Sequence, residues 1–279
     1  MIVTIDKNAG FCFGVTKAIT IVRDYLTKNE SLYCLGELVH NEEEMERLEA
    51  MGLKILNYTD LSNIHDKDVL FRAHGEPIVN YRKIESQGNH IIDATCPIVK
   101  ELQRKVIQSY KNKERIFIYG KLLHPEIQGI IGNINNDAVV FTSIDELSYL
   151  GKGDSITLYS QTTMSQDDYN AIIEELQGRG VNVNAINSVC VSVRKRKADL
   201  LVFCQQHDVI LFVAGKNSSN GKSLFSACKD INPNSYFISS IDDIEKEWFK
   251  DCNTIGISGA TSTPLDLLER VKNHIMYDI

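Results

Sequence analysis

Three cysteines recur along the chain in the same setting. Cys12 follows the apolar run Ile2-Val-Thr-Ile5, Cys96 follows His90-Ile-Ile-Asp93, and Cys190 follows the stretch from Val181 to Ile186. Each then opens a stretch with apolar residues at helical spacing: Val15, Ala18, Ile19, Val22 and Leu26 after the first, Val99, Leu102, Val106 and Tyr110 after the second. After Cys190 the pattern is blurred by Arg194-Lys-Arg-Lys197 and recovers at Leu200, Leu201 and Cys204. Three thiolates of this kind suit one shared metal centre, either zinc with an open fourth position or an iron-sulfur cluster with one iron left without a protein ligand. A helix start beside each cysteine favours the thiolate, because the partial positive end of the helix stabilises the anion. The spacing of the residues alone does not separate the two metals.

The elements that must position these thiols repeat as well. Each predicted helix gives way to a strand that ends in glycine, at Gly36, Gly120 and Gly215, and these lie 24, 24 and 25 residues past Cys12, Cys96 and Cys190. A polar loop follows each glycine: Leu38-Val-His40-Asn41, Leu123-His124-Pro125-Glu126 and Asn217-Ser218-Ser219-Asn220. Later in each repeat a second short strand, at Val69-Leu-Phe71, Ile156-Thr-Leu-Tyr159 and Thr254-Ile-Gly-Ile257, runs into Arg72-Ala-His74-Gly75, Gln161-Thr162-Thr163 and Gly259-Ala-Thr-Ser262-Thr-Pro264. Self-similarity at about 90 residues predicts an α/β protein of three similar units, 1–95, 96–189 and 190–279, carrying Cys12, Cys96 and Cys190 in turn. Alternating strands and helices favour mostly parallel sheets, whose ligands sit beyond the carboxyl ends of the strands. The expected arrangement is pseudo-threefold around a central cavity, with the C-terminal tail closing over the site.

Within these loops His40, His74 and His124 fall in register, with Thr162, Ser218, Ser219, Asn220 and Ser262 in the remaining ones. Imidazole, hydroxyl and amide donors next to helix starts are what a phosphate or diphosphate needs. His65, His90, His207 and His274 fall outside the register. Glu126, two residues past His124, is the candidate proton donor. Gly215 to Ser223 resembles a phosphate loop and fails, because Lys216 stands where the pattern requires glycine.

The composition limits the alternatives. The 279 residues include 43% hydrophobic and 24% charged side chains with only 5 prolines, which places the chain among globular proteins. A net charge of −7 argues against a general nucleic-acid binder or a polybasic membrane protein, so an anionic ligand must be held by a local site. Neither a signal peptide nor a membrane span is expected, and the compartment expected is the cytoplasm. Seven cysteines with no C-x-x-C pair predict reduced thiols or metal ligands rather than disulfides, with Cys34, Cys204, Cys228 and Cys252 as small buried hydrophobes. A zinc phosphoesterase and a non-catalytic diphosphate-binding module remain open on these residues.

Eight motifs in order resemble the 4-hydroxy-3-methylbut-2-enyl diphosphate reductase family. They are Gly10-Phe-Cys12-Phe-Gly-Val15, Val39-His40-Asn41, Ala73-His74-Gly75, Asp93-Ala-Thr-Cys96-Pro97, His124-Pro-Glu126, Gln161-Thr162-Thr163, Lys216-Asn-Ser218-Ser219-Asn220 and Ser262-Thr-Pro264. The resemblance implies a 4Fe-4S cluster held by Cys12, Cys96 and Cys190 with one iron not ligated by protein. It implies a diphosphate pocket of His40, His74, His124, Ser218, Ser219, Asn220 and Ser262, with Thr162 near the substrate and Glu126 supplying protons. The implied reaction is the two-electron reductive dehydroxylation of the substrate to isopentenyl and dimethylallyl diphosphates, the last step of the methylerythritol phosphate isoprenoid route. Ferredoxin or flavodoxin is the expected electron donor: such carriers are commonly acidic, and Arg194-Lys-Arg-Lys197, otherwise a solvated helix face, offers them four consecutive positive charges near Cys190. The chain departs from the family at Val193, where threonine is usual, and at Arg196-Lys197, where an Arg-Gln pair is usual.

Overall fold

The computed structural model describes residues 1–39, 41–250 and 252–277, except for the side chain of Ser219. In chain order the first elements are β1 (Ile2–Ile5), α1 (Phe13–Leu26), β2 (Leu32–Leu35), α2 (Glu42–Ala50), β3 (Leu53–Leu56), β4 (Asp68–Phe71), α3 (Ile78–Ser86) and β5 (His90–Asp93). Then come α4 (Pro97–Lys111), β6 (Ile116–Tyr119), α5 (Pro125–Ile131), β7 (Val139–Phe141), β8 (Ser155–Ser160), α6 (Gln166–Gly178) and β9 (Asn182–Ala185). The chain finishes with α7 (Val191–Gln205), β10 (Val209–Val213), α8 (Ser219–Ile231), β11 (Ser235–Ile238), β12 (Thr254–Gly259) and α9 (Leu265–Tyr277).

The described strands form three four-stranded sheets, ordered β3-β2-β4-β5, β7-β6-β8-β9 and β11-β10-β12-β1, and every pairing is parallel. The order is the same in all three when β1 is counted as the fourth strand of the last. β1 therefore does not open a sheet of its own: it pairs with β12, Ile2 beside Thr254 and Ile5 beside Ile257. Each of the three cysteines follows such a fourth strand, β1, β5 or β9.

Contacts divide the chain into two compact units. The first comprises residues 1–23, 37–52 and 195–279, and the second comprises 24–36 and 53–194. In the first, alternate residues of β10 point to opposite faces. Val209, Leu211 and Val213 pack with Ile255, Ile257 and the α9 residues Leu267, Leu268, Val271 and Ile275. Ile210, Phe212 and Ala214 pack with Leu200 and Leu224 of α7 and α8. The second unit repeats the scheme: Ile116 and Ile118 face Leu102, Val106 and Ile127, while Phe117 and Tyr119 face Tyr169, Ile172 and Leu176. Covering both faces explains the continuous apolar runs in the inner strands, and each side chain so buried contributes roughly 1.5–3 kcal/mol. α9 is held to its own sheet by four core residues, and residues 278 and 279 of the tail lie outside the described residues.

One expectation about the thiols is corrected. Cys204 and Cys228 are joined by a disulfide, their Cα atoms 6.2 Å apart. Both are fully buried in the same apolar cluster, on α7 and α8 that share one face of the sheet, which brings the two small side chains together. Cys12, Cys34, Cys96, Cys190 and Cys252 are outside any disulfide.

Candidate active site

In the second compact unit the site is built from five strand ends, those of β4, β5, β6, β8 and β9. α5 begins directly after the loop that leaves β6, with His124 at its N-cap and Pro125 in its first turn. The Glu126 backbone N–H donates to His124 Nδ1 at 3.2 Å, so the imidazole caps the helix that carries the acid. Glu126 is 2% exposed. Its Oε1 accepts the Thr162 backbone N–H at 2.7 Å and its Oε2 accepts the Thr162 hydroxyl at 2.6 Å. Burial pushes the carboxyl above its ordinary range, and the two bonds from Thr162 pull the other way without cancelling it. A buried carboxyl raised in this way can hold a proton to donate.

The neighbouring loop, after β4, presents His74. The His74 and His124 rings meet edge to face with centroids 5.4 Å apart. Gly75 takes φ +76°, and α5 approaches so closely that a Cβ at Gly129 would lie 2.6 Å from the Gly75 carbonyl oxygen. Gln103 Nε2 donates to the Gly129 carbonyl at 3.2 Å and braces the same contact. His74 is thus fixed against the helix that carries Glu126. Cys96 and Cys190 of this unit are wired to these loops through the backbone: the Cys96 N–H donates to the Ala73 carbonyl at 3.0 Å, and the Cys190 N–H to the Thr162 carbonyl at 2.8 Å. Cys96, Cys190, His74, His124, Glu126 and Thr162 form one connected group.

In the first compact unit the equivalent loops carry the small polar residues. Ser218 is the N-cap of α8, its Oγ accepting the Gly221 N–H at 3.0 Å. Ser218 Oγ and Ser262 Oγ lie 3.5 Å apart, and Asn220 Nδ2 donates to Thr261 Oγ1 at 2.9 Å. The Thr261 carbonyl accepts the Cys12 N–H at 3.2 Å, so Cys12 is tied to this loop as the other two cysteines are to theirs. Asn41 caps α2 through the Glu44 N–H at 2.9 Å, which makes Asn41, His124 and Ser218 counterparts in the three repeats. His40 and the side chain of Ser219 lie outside the described residues.

All three cysteines stand at a helix start, their carbonyls accepting the N–H of Thr16, Lys100 and Arg194 at 2.9, 2.9 and 3.0 Å. All three are partly exposed. Thiols outside disulfides at helix starts, with exposed surface, suit a thiolate-ligated centre. Among the described residues no three His, Cys, Asp or Glu side chains stand together closely enough to hold a metal ion. Cys12 belongs to the first compact unit, Cys96 and Cys190 to the second.

Two contributors were not singled out in the sequence. Thr261 joins Cys12 to Asn220, and its only signal is its place beside Ser262. Arg196, one of four consecutive basic residues from Arg194 to Lys197, is 7% exposed. Its register was available: Arg196, Leu200 and Cys204 are spaced by four and are the buried residues of α7.

Three parallel sheets of one strand order, with a buried acid, capped helices and cysteine loops at their strand ends, define an α/β enzyme scaffold. A family model described as LytB protein matches residues 3–276. A 4-hydroxy-3-methylbut-2-enyl diphosphate reductase of Bacteroides fragilis is 42% identical over 284 residues, covering 99% of this chain and 98% of its own. That of Chlorobaculum parvum is 36% identical, covering 99% and 96%. A solved structure of (E)-4-hydroxy-3-methyl-but-2-enyl diphosphate reductase aligns with TM-score 0.75 and 28% identity over all of both chains. The Plasmodium falciparum reductase structure aligns with TM-score 0.87 and 25% identity over 98% of this chain and 87% of its own. The chain belongs to the LytB family, that of the 4-hydroxy-3-methylbut-2-enyl diphosphate reductases, which are oxidoreductases. No helix among the described residues is long and apolar enough to cross a membrane.

Proposed function

We propose that this chain reduces 4-hydroxy-3-methylbut-2-enyl diphosphate to isopentenyl and dimethylallyl diphosphates, consuming two electrons and two protons and releasing water. The observation that carries the reading is the buried Glu126, bound by Thr162 through both oxygens and set beside the His124–His74 pair. The diphosphate is held by His40, His74, His124, Ser218, Ser219, Asn220 and Ser262. Their donors suit an anion, and the N-terminus of α8 adds its dipole. Glu126 carries the proton for the departing hydroxyl group, and the 2.6 Å contact to the Thr162 hydroxyl gives that proton a path toward the substrate.

Cys12, Cys96 and Cys190 are the ligands of a 4Fe-4S cluster with one iron not held by the protein. When bound, such a cluster supplies the electrons that no side chain here can supply, together with a Lewis-acidic iron toward the hydroxyl group. Support for this ligand set lies in the donor chemistry and in the three matching backbone bonds that tie each cysteine to a substrate-side loop. The division 1–95, 96–189 and 190–279 then describes three repeats around a pseudo-threefold cavity. Reduced ferredoxin or flavodoxin in the cytoplasm delivers the electrons, for the last step of the methylerythritol phosphate route.

Anaerobic purification or reconstitution, followed by iron and sulfide analysis and an assay with a dithionite-reduced viologen, tests the reading. About four irons per chain and formation of both products are expected. Loss of iron is expected on replacing Cys12, Cys96 or Cys190 by serine, and retention on replacing Cys34 or Cys252. A chain that takes up no iron and turns over no substrate refutes the reading.

A further inference from the structure

The loop that carries Cys12 runs from Asp6 to Cys12 with no helix or strand of its own. Its carbonyls are gathered by one side chain. Arg196, on the second turn of α7, donates from Nη1 to the carbonyls of Asn8 and Gly10, the latter at 3.4 Å, and from Nη2 to the carbonyl of Gly259 at the end of β12. The guanidinium therefore clamps the loop after β1 to the end of the strand that pairs with β1. Gly10, in the middle of the clamp, has φ +106°, a backbone conformation that glycine adopts freely and other residues rarely. The rest of the surroundings is acidic. Asp6, 3% exposed, accepts from Ser258 Oγ at 2.8 Å and from the Asn8 N–H at 2.9 Å, and Asp199 accepts from Asn8 Nδ2 at 3.0 Å. The charges acting on Arg196 are those of Asp6, Cys12 and Asp199. Its Nε is buried and has no hydrogen-bond partner.

We propose that Arg196 is the positioning residue for Cys12. Its planar guanidinium fixes the Asn8–Cys12 loop against β12 and places a buried positive charge beside the Cys12 sulfur. A lysine keeps the charge but cannot span three carbonyls on two segments, so the geometric and electrostatic parts of the role separate between Arg196→Lys and Arg196→Gln. The charge part rests on the reading of Cys12 as a cluster ligand. The geometric part does not. A positive charge close to a cluster favours its reduced, more negative state, so removing that charge lowers the potential.

The test uses the full chain, with both variants first checked for wild-type circular dichroism. In the metal-free protein, amide hydrogen exchange at residues 8–12 is expected to be about tenfold faster in both variants, while the residues around Cys96 and Cys190 are unchanged. After anaerobic reconstitution, Arg196→Gln is expected to hold half the wild-type iron or less, with a reduction potential below that of Arg196→Lys. Unchanged exchange at residues 8–12 in both folded variants overturns the clamp. Equal potentials in the two variants overturn the charge effect. A wild-type chain that takes up no iron fails the cluster reading, and the exchange experiment still decides the clamp. If Arg196→Gln does not fold, Arg196→Lys decides alone: faster exchange at residues 8–12 supports the clamp, and wild-type exchange with full iron content overturns it.

Discussion

Both carboxylate oxygens of Glu126 are engaged by one residue, Thr162, whose N–H and hydroxyl reach them at 2.7 and 2.6 Å. The two lie 36 positions apart, one in the first turn of α5 and the other just past β8. β6 and β8 are adjacent strands, with Tyr119 beside Ser160, so the loops that leave them are neighbours by construction. The acid is therefore oriented by sheet register, and its partner is set before any ligand arrives.

Replacing Glu126 by Gln keeps shape and removes the proton. Turnover with a chemical reductant is expected to fall by about 100-fold or more, with binding of inorganic diphosphate within roughly threefold of wild type. Thr162→Val, which loses the hydroxyl alone, should fall between the two. Steady-state assays and calorimetry check both, and near-normal turnover of Glu126→Gln removes the acid role.

Stability should carry the signature of the same carboxyl. Its folded pKa lies above the ordinary 4.5, so the unfolded chain releases the proton first. The contribution from this group is complete below about pH 4.5 and is lost as pH rises through the raised folded value. Glu126→Gln has no such loss. Its Tm relative to wild type is expected to climb from about pH 4.5 and then level off, and melts across that range to about pH 8 measure it. A difference that is flat with pH contradicts the burial effect.

The glycine contact that locks His74 to α5 predicts a costly methyl. In Gly129→Ala the new Cβ meets backbone at Gly75 rather than a flexible side chain, so the loop or the helix must move, at a cost of about 1–3 kcal/mol. Weaker diphosphate binding, by roughly tenfold, should accompany the lower Tm. Gly151→Ala is the control, because nothing lies within 4 Å of the added methyl.

Arg194 and Lys195 are exposed at the start of α7, within five residues of Cys190, whereas Arg196 is buried. An acidic electron carrier would be steered by the exposed pair. Reversing both to Glu should slow reduction by ferredoxin or flavodoxin and flatten its salt dependence, while the dithionite-viologen rate is spared. Equal loss with both reductants would place the effect in the fold.

The six inner strands were legible because they are buried on both faces, as in Arg115 to Gly120 and Asp208 to Gly215, and the edge strands β1, β5 and β9 because each leads into one of the three cysteines. The three that escaped, β3, β7 and β11, are the outer strands next to β2, β6 and β10. Their patterns are short and mixed: Lys54 and Val139 are exposed, and β7 has only three residues. The loops of the site were legible as polar residues in register. Which of them cap helices and which meet across neighbouring strands depends on tertiary approach, as at Gly75 and Gly129, and no local pattern records it. The disulfide was hidden for the same reason: Cys204 and Cys228 are 24 residues apart and meet only because α7 and α8 lie on one face.

The pairing of β1 with β12 sets an order of assembly. Ile2 finds its neighbour at Thr254, and β1 has no other partner strand among the described residues, so a nascent chain that has not yet reached Thr254 carries its first strand unpaired. Sheets made within the chain, such as β2 to β5, are complete in sequence long before that point. The Cys12 loop, anchored by Gly259, Thr261 and Arg196, takes its shape only once the chain has been made as far as Thr261. Of the three cysteines, the first to be translated is the last to be fixed in place.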